Sequence, residues 1–181
     1  MMTPAQERDD ILKKLREAAT LLAGSMDPRL IPDNGAGIGY AIRRARESRD
    51  VAVIPGGLLA DGGKVRCPSK AAFGADDRIS RIILTAIKFD PQVRSAALIR
   101  YSEESFRILS GMYVESKETD PARHPPGIAT MDWAVASCCS EGVPGVIALR
   151  GGDPKRQAIC IFGEEPSGIA SNIIILSNRI N

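Results

Sequence analysis

The sequence predicts an α/β domain built on a mixed sheet, and three observations carry that prediction. Short apolar runs bounded by turn residues, at 51–54, 95–101, 146–149 and 158–162, have the length and composition of buried strands. Between them lie spans whose apolar residues recur at helical spacing. An early hairpin signature, Asp61-Gly-Gly63 within residues 58–66, argues against a purely parallel sheet.

The elements follow in order. Residues 3–23 form an amphipathic helix through Ile11, Leu12, Leu15, Ala18, Ala19 and Leu22, with Thr3 as N-cap, Pro4 at the first position and Gly24 at the stop. This helix either packs on the domain or connects it to something upstream, and residues 1–24 are assigned as an N-terminal connector helix ahead of a ligand-binding domain at 25–181. Residues 31–40 are rich in turn formers, and residues 43–49 are basic and exposed. Val51-Ala-Val-Ile54 is a strand running into Pro55-Gly56-Gly57. The span 76–88 is the strongest helix: Asp76 and Asp77 suit its positive N-terminal end, and Ile79, Ile82, Ile83, Ala86 and Ile87 make one face. Residues 95–101 are a strand, Ser102 caps a short helix that Gly111 ends, and 112–115 reads as another strand. Residues 117–129, with three prolines, read as an exposed loop, 131–140 as a helix with Trp133 in the core, and 151–154 as a loop. Pro166 opens a last helix to about Asn178.

A chain of 181 residues, 44% hydrophobic and 25% charged, fits one domain with a real core. With 24 basic and 22 acidic residues the net charge is +2, which gives no reason to expect nucleic acid or an anionic membrane as partner. No apolar run approaches the ~20 residues that span a bilayer, and the charged N-terminus lacks a signal-peptide stretch. Cys67, Cys138, Cys139 and Cys160 form no CxxC pair and read as reduced, packed thiols of a cytoplasmic protein. The single histidine, His124, has no Cys or His at ligand spacing, so no metal site and no Ser/His/Asp or Cys/His constellation is expected.

The glycines at 35, 37 and 39 do not make a dinucleotide fingerprint, because their spacing is GxGxG and they follow Pro32-Asp33-Asn34 rather than a strand. A turn requiring positive φ angles is the better reading. Pro55-Gly56-Gly57 at a strand end and Phe73-Gly74-Ala75 before a helix start suggest an anion site, with helix-start amides as donors and Arg78 and Arg81 adding charge. Arg100, Tyr101 and Ser102 fall at the C-terminal end of a strand, where α/β proteins place ligands, although an ion pair explains Arg100 equally well. Asp132, Asp153, Lys155 and Arg156 read first as surface residues.

These motifs together resemble the ThiN family. Ile31-Pro32 with Gly35 and Tyr40-Ala41, then Asp50-Val51-Ala52 with Ile54-Pro55-Gly56, are similar to the opening of ThiN domains. Phe73-Gly74-Ala75 with Arg81-Ile82 and Leu84 resembles the family's helix-opening motif, and Ile99-Arg100-Tyr101 its central strand. Trp133, Gly151, Lys155 and Phe162-Gly163 follow in order, so the resemblance covers roughly residues 5–178. It implies a three-layer α/β/α domain with a mixed sheet, like class II aldolase domains without their metal. It also implies the archaeal thiamine-phosphate synthase reaction, in which hydroxymethylpyrimidine diphosphate and hydroxyethylthiazole phosphate yield thiamine phosphate and pyrophosphate. The candidate ligand-binding residues are then Asn34, Gly35, Pro55, Gly56, Gly57, Gly74, Ala75, Arg78, Arg100, Tyr101, Ser102 and Lys155.

The sequence departs from the enzymes of that family at two positions. Gly57 stands where they have arginine, and Arg78 where they have histidine; Gly152 replaces an aspartate they tend to carry. A cation to hold pyrophosphate and an imidazole to move a proton are what such a displacement asks of its protein. The expected function is therefore a module that binds thiamine phosphate or its phosphorylated precursors without catalysis, as a sensor or through a protein partner. The alternatives are an active synthase, with Mg²⁺ entering for catalysis and Arg78 holding the diphosphate, and a scaffolding relic. No cofactor is expected in the chain itself. About 25 residues precede the domain, too few for a helix-turn-helix, so it should not grip DNA alone. A homodimer is the expected assembly.

Overall fold

The computed structural model describes residues 1–124 and 131–181; the part of the proline-rich loop at 125–130 lies outside the described residues. Nine strands and five α-helices are present among the described residues. The strands are β1 (Ile38–Ala41), β2 (Val51–Val53), β3 (Leu59–Asp61), β4 (Lys64–Arg66), β5 (Ala72–Phe73), β6 (Ser95–Arg100), β7 (Ser116–Thr119), β8 (Val146–Leu149) and β9 (Ala158–Gly163). The helices are α1 (Pro4–Ser25), α2 (Arg78–Phe89), α3 (Glu103–Met112), α4 (Trp133–Ser137) and α5 (Pro166–Ser177).

Seven strands form one sheet in the order β5-β2-β1-β6-β9-β8-β7. Every neighbouring pair is antiparallel except β7 and β8, so the sheet is mixed as expected but for a different reason. The hairpin β3–β4 stands apart as a two-stranded sheet and contributes nothing to the mixing.

Strand residues alternate between two cores, as the two-residue period of a strand requires. Ile38, Tyr40, Ala52, Ala97, Ile99, Ile159 and Ile161 face a cluster shared with α1, α5 and Leu109 of α3. Val51, Val53, Ala96, Ile147, Leu149, Cys160 and Phe162 face a second cluster shared with α2 and α4. Both faces are thus buried, which explains why the strands read as continuous apolar runs rather than alternating ones.

α1 is held in the first core by Ile11, Leu15, Ala18, Ala19 and Leu22. Thr3 and Gln6 close a capping box at its start, and the helix passes through Gly24 to end at Ser25. Arg8 fixes its first turns, pairing with Asp50 at 3.0 Å and lying 4.6 Å from the centre of the Phe73 ring. From Ile11 onward α1 thus packs against the same core as the sheet. α2 starts with a second capping box, Asp77 with Ser80, and buries Ile79, Ile82 and Ile83 as its spacing predicts. No helix among the described residues is long and apolar enough to cross a membrane.

Several boundaries differ from the sequence reading. β1 lies inside the stretch read as turns, because Gly39 reads as a breaker while its neighbours pair on both sides with β2 and β6. The pair Ala72–Phe73 forms β5 at the sheet edge. The segment 112–115 is not a strand: α3 continues through Gly111 to Met112, and Tyr113 turns inward to accept a 2.7 Å hydrogen bond from Asn172. Gly145 leaves the room its ring needs. The strand comes later, at Ser116–Thr119, mostly within the span 117–129 that reads as loop. α4 is only five residues long, and Trp133 at its start is 37% exposed rather than buried. Its place at the first helical position points it away from the face that Ala134 and Val135 bury.

Two predictions follow from this packing. A Cβ on Gly39 would sit 2.8 Å from Ile83 Cδ1 and 3.0 Å from the Ala52 carbonyl oxygen. Gly39→Ala should therefore cost roughly 1–3 kcal/mol in a denaturant titration, and Ile83→Val, which removes that methyl, should cost less in the alanine background than alone. Cys138, Cys139 and Cys160 are buried, and burial raises their thiol pKa values, that of Cys139 to about 11. Because the thiolate is the nucleophile, an aromatic disulfide reagent at pH 8 should label the native chain slowly and at Cys67 alone, and all four cysteines after unfolding.

Candidate functional site

The C-terminal end of β6 and the N-terminal end of α2 open on a cleft of about 510 Å³. Its walls are Pro32, Asp33, Asn34 and Gly35 on one side and Asp153, Lys155, Arg156, Gln157 and Ala158 on the other, with Leu98 and Arg78 between them. Leu98 belongs to β6 and is anchored through its amide to the Gly37 carbonyl at 2.8 Å. Three cations thus converge on one cavity: Arg78 from α2, and Lys155 and Arg156 from a short 3-10 turn.

Each wall has a local cause. The turn at 154–156 is set by Pro154 at its first position and by Asp153, whose side chain accepts from the Lys155 amide at 3.0 Å. The opposite wall is fixed by a reciprocal backbone pair, Ala36 to Leu58 at 2.8 Å and Leu58 to Ala36 at 2.9 Å. That pair brings the two chain segments so close that Gly35 and Gly57 face backbone where a side chain would be. Gly57 has φ +73°, and a Cβ there would lie 2.6 Å from the Ala36 carbonyl oxygen.

The start of α2 offers less to an anion through its backbone than the sequence suggests. Asp77 already accepts from the Ser80 amide at 3.0 Å, placing a carboxylate at the positive end of the helix. What α2 presents to the cleft is the Arg78 side chain, 39% exposed and 3.6 Å from Asp132 Oδ2. Arg81 is turned to Asp76 at 3.2 Å.

Of the sequence-derived candidates, Asn34, Gly35, Arg78 and Lys155 line the cleft. Pro55, Gly56 and Gly57 form the turn behind Gly35 and are not among its lining residues. Gly74 and Ala75 also lie outside the lining, the Ala75 carbonyl accepting a hydrogen bond from Ser80 Oγ at 2.9 Å. Arg100, Tyr101 and Ser102 line a second cleft of about 250 Å³ with Arg29, Glu104 and Ser105. Arg100 stands at the partition, donating from Nη2 to Asp33 Oδ1 at 2.7 Å and from Nε to the Ile31 carbonyl at 3.1 Å. Arg100, then Lys155 more weakly, holds the Asp33 carboxyl below its ordinary pKa. Burial pushes the Tyr101 phenol up, and the Arg150 guanidinium lies 4.7 Å from its ring centre.

Sequence reasoning missed Asp33, Asp153, Arg156 and Gln157 as cleft residues. The Asp-Pro-Lys-Arg run at 153–156 is a capped turn that carries two cations; its residue types read first as surface, and the family resemblance singles out Lys155 alone of the four. His124 is not among the cleft-lining residues: its Nε2 lies 3.0 Å from Thr119 Oγ1 and 3.4 Å from Ser137 Oγ. No group of three or more His, Cys, Asp or Glu side chains among the described residues has a metal-holding arrangement.

Comparison with known proteins bears on this geometry. The family described as thiamine-phosphate synthase ThiN matches residues 14–175. The bifunctional thiamine biosynthesis protein ThiDN of Methanocaldococcus jannaschii is 28% identical over 177 residues, which is 96% of this chain but 42% of that protein's length. A crystal structure of the C-terminal domain of phosphomethylpyrimidine kinase superposes with a TM-score of 0.84 at 28% identity, covering 94% of this chain and all (100%) of that one. A sugar-phosphate aldolase from Thermotoga maritima gives a TM-score of 0.52 at 11% identity, covering 94% and 92%, a weak likeness of fold alone. Over nearly its whole length, from α1 to α5, the chain belongs to the ThiN family of thiamine biosynthesis.

Proposed function

We propose that this ThiN domain binds thiamine phosphate or one of its phosphorylated precursors in the cleft between Asn34 and Lys155, and does not itself join the precursors. The observation that carries the reading is the convergence of Arg78, Lys155 and Arg156 on a cavity large enough for a two-ring ligand. Arginine and lysine side chains together supply the charge-assisted hydrogen bonds that hold phosphate oxygens. The non-catalytic half rests on Arg78 and Gly57. Arg78 cannot serve as a base near neutral pH, and the one imidazole of the chain is engaged with Thr119 and Ser137.

The rest of the assignment goes with this reading. The ligand is taken up in the cytoplasm without a cofactor bound to the chain, the domain pairs as a homodimer, and its response passes through a protein partner rather than through DNA or a membrane. The two cores on opposite faces of the sheet support the three-layer α/β/α arrangement of class II aldolase domains.

One observation favours a second reading. Three cations in one cleft are what a departing diphosphate needs, and a reaction through a loosely bound pyrimidine cation asks little proton transfer of the protein. In that reading the chain is an active thiamine-phosphate synthase, and Mg²⁺ arrives with the diphosphate.

Calorimetry and a pyrophosphate-release assay separate the two. The unaltered protein should bind thiamine phosphate yet release no pyrophosphate above background from the two precursors with Mg²⁺; sustained turnover overturns the non-catalytic reading. Arg78→Ala should weaken thiamine phosphate by about 1.5–3 kcal/mol, the worth of a hydrogen bond to a charged group, and leave unphosphorylated thiamine nearly unchanged. Equal loss for both ligands would remove Arg78 from phosphate recognition. Gly57→Arg, which brings in the arginine of the related enzymes, should lower the melting temperature rather than create turnover, because its Cβ meets the Ala36 carbonyl oxygen.

A further inference from the structure

One ion pair stands between the two clefts. Asp33 belongs to the larger one, and Arg100 to the smaller. The Arg100 guanidinium spends two donors on the loop that walls the larger cleft, one on the Asp33 carboxylate and one on the Ile31 carbonyl. A planar fork directing two N–H groups at two oxygens is the arrangement by which arginine takes a phosphate.

The Asp33 carboxylate holds the Nη2 arm of that fork, the Ile31 carbonyl taking Nε, and as a competitor it is weak. The Asp33 side chain is 65% exposed and Arg100 37%, and an ion pair so open to water typically shifts an equilibrium by less than about five-fold. Asp33 also feels the Lys155 charge across the larger cleft. Asp33, which lines the larger cleft together with Lys155, thus reaches across the partition to Arg100 of the smaller one.

We propose that Asp33 is an internal stand-in for a ligand phosphate, and that Arg100 is a ligand-binding cation held in reserve by it. A phosphorylated ligand entering the larger cleft takes the Arg100 fork, Asp33 swings into solvent, and the two clefts join in one trough. A singly charged anion gains nothing by the exchange, since it replaces one negative charge by another. A dianionic phosphate or a diphosphate does gain. The contact thus sets a threshold that only strongly charged ligands cross. The proposal rests on reading the larger cleft as a phosphate site, and adds how that site is regulated.

The test is a double-mutant cycle on the full chain, with inorganic pyrophosphate as probe and isothermal calorimetry as readout. Asp33→Asn should tighten pyrophosphate about three- to five-fold in the wild-type background, on the scale of the exposed ion pair it removes. In an Arg100→Gln background the same change should alter affinity less than about two-fold, since no reserved fork remains to be released. Asp33→Ala should reproduce the gain and guards against a peculiarity of the amide. An equal gain in both backgrounds would mean that Asp33 acts only through its charge, which overturns the proposal. Absence of any gain, or of pyrophosphate binding by all four proteins, overturns it too. Thiamine phosphate is titrated in parallel: if the cycle holds for pyrophosphate while thiamine phosphate fails to bind, the proposed ligand falls and the reserved arginine stands.

Discussion

β6 is the strand on which both cores and both clefts depend. It lies in the middle of the sheet, pairs antiparallel with β1 on one edge and β9 on the other, and alternates its side chains between the two core clusters. A slip of one residue in either pairing would exchange Ala97 and Ile99 for Ala96 and Leu98 across the sheet and empty one core into the other. The same register delivers Leu98 to one cleft and Arg100 to the partition. Site and core are therefore specified by one set of backbone hydrogen bonds.

Fold and function part company at the cleft. The chain shares its architecture with other ThiN domains over most of its length, yet architecture leaves open what a cavity does. What sets its charge is a few side chains: the cations at 78, 155 and 156 and the acids at 33 and 153. Gly57 leaves no room for a larger residue, because the backbone pairing of Ala36 with Leu58 occupies the space. A related chain with a longer side chain there must separate these segments or turn that residue differently.

Much of the scaffold was legible in the sequence, and its failures have physical reasons. α2 could be placed because an amphipathic stripe of isoleucines and an acidic cap agree with one another, and the fully buried Ile83 follows from that. β8 and β9 could be placed because both of their faces are buried and the runs are continuously apolar. β1 and β7 could not. Gly39 hides β1 by imitating a turn, and its lack of a side chain is demanded by Ile83 from another part of the chain. β7 is a polar edge strand, Ser-Lys-Glu-Thr, with no apolar face to announce it. The cleft was half legible for a similar reason. Arg78 and Lys155 could be singled out along the chain, but only the fold shows that Arg156 joins them and that Arg100 faces another cavity.

α1 has a mechanical consequence. Its 22 residues make a rod of roughly 33 Å, one side of which is fastened into the core from Ile11 to Leu22, with Arg8 clamping its opening turns. Because the buried positions are spread over about three turns and lie against α5, the rod has no single pivot: a tilt that lifted Ile11 out would strain Leu15 and Leu22 as well, so α1 stays seated or leaves as one piece.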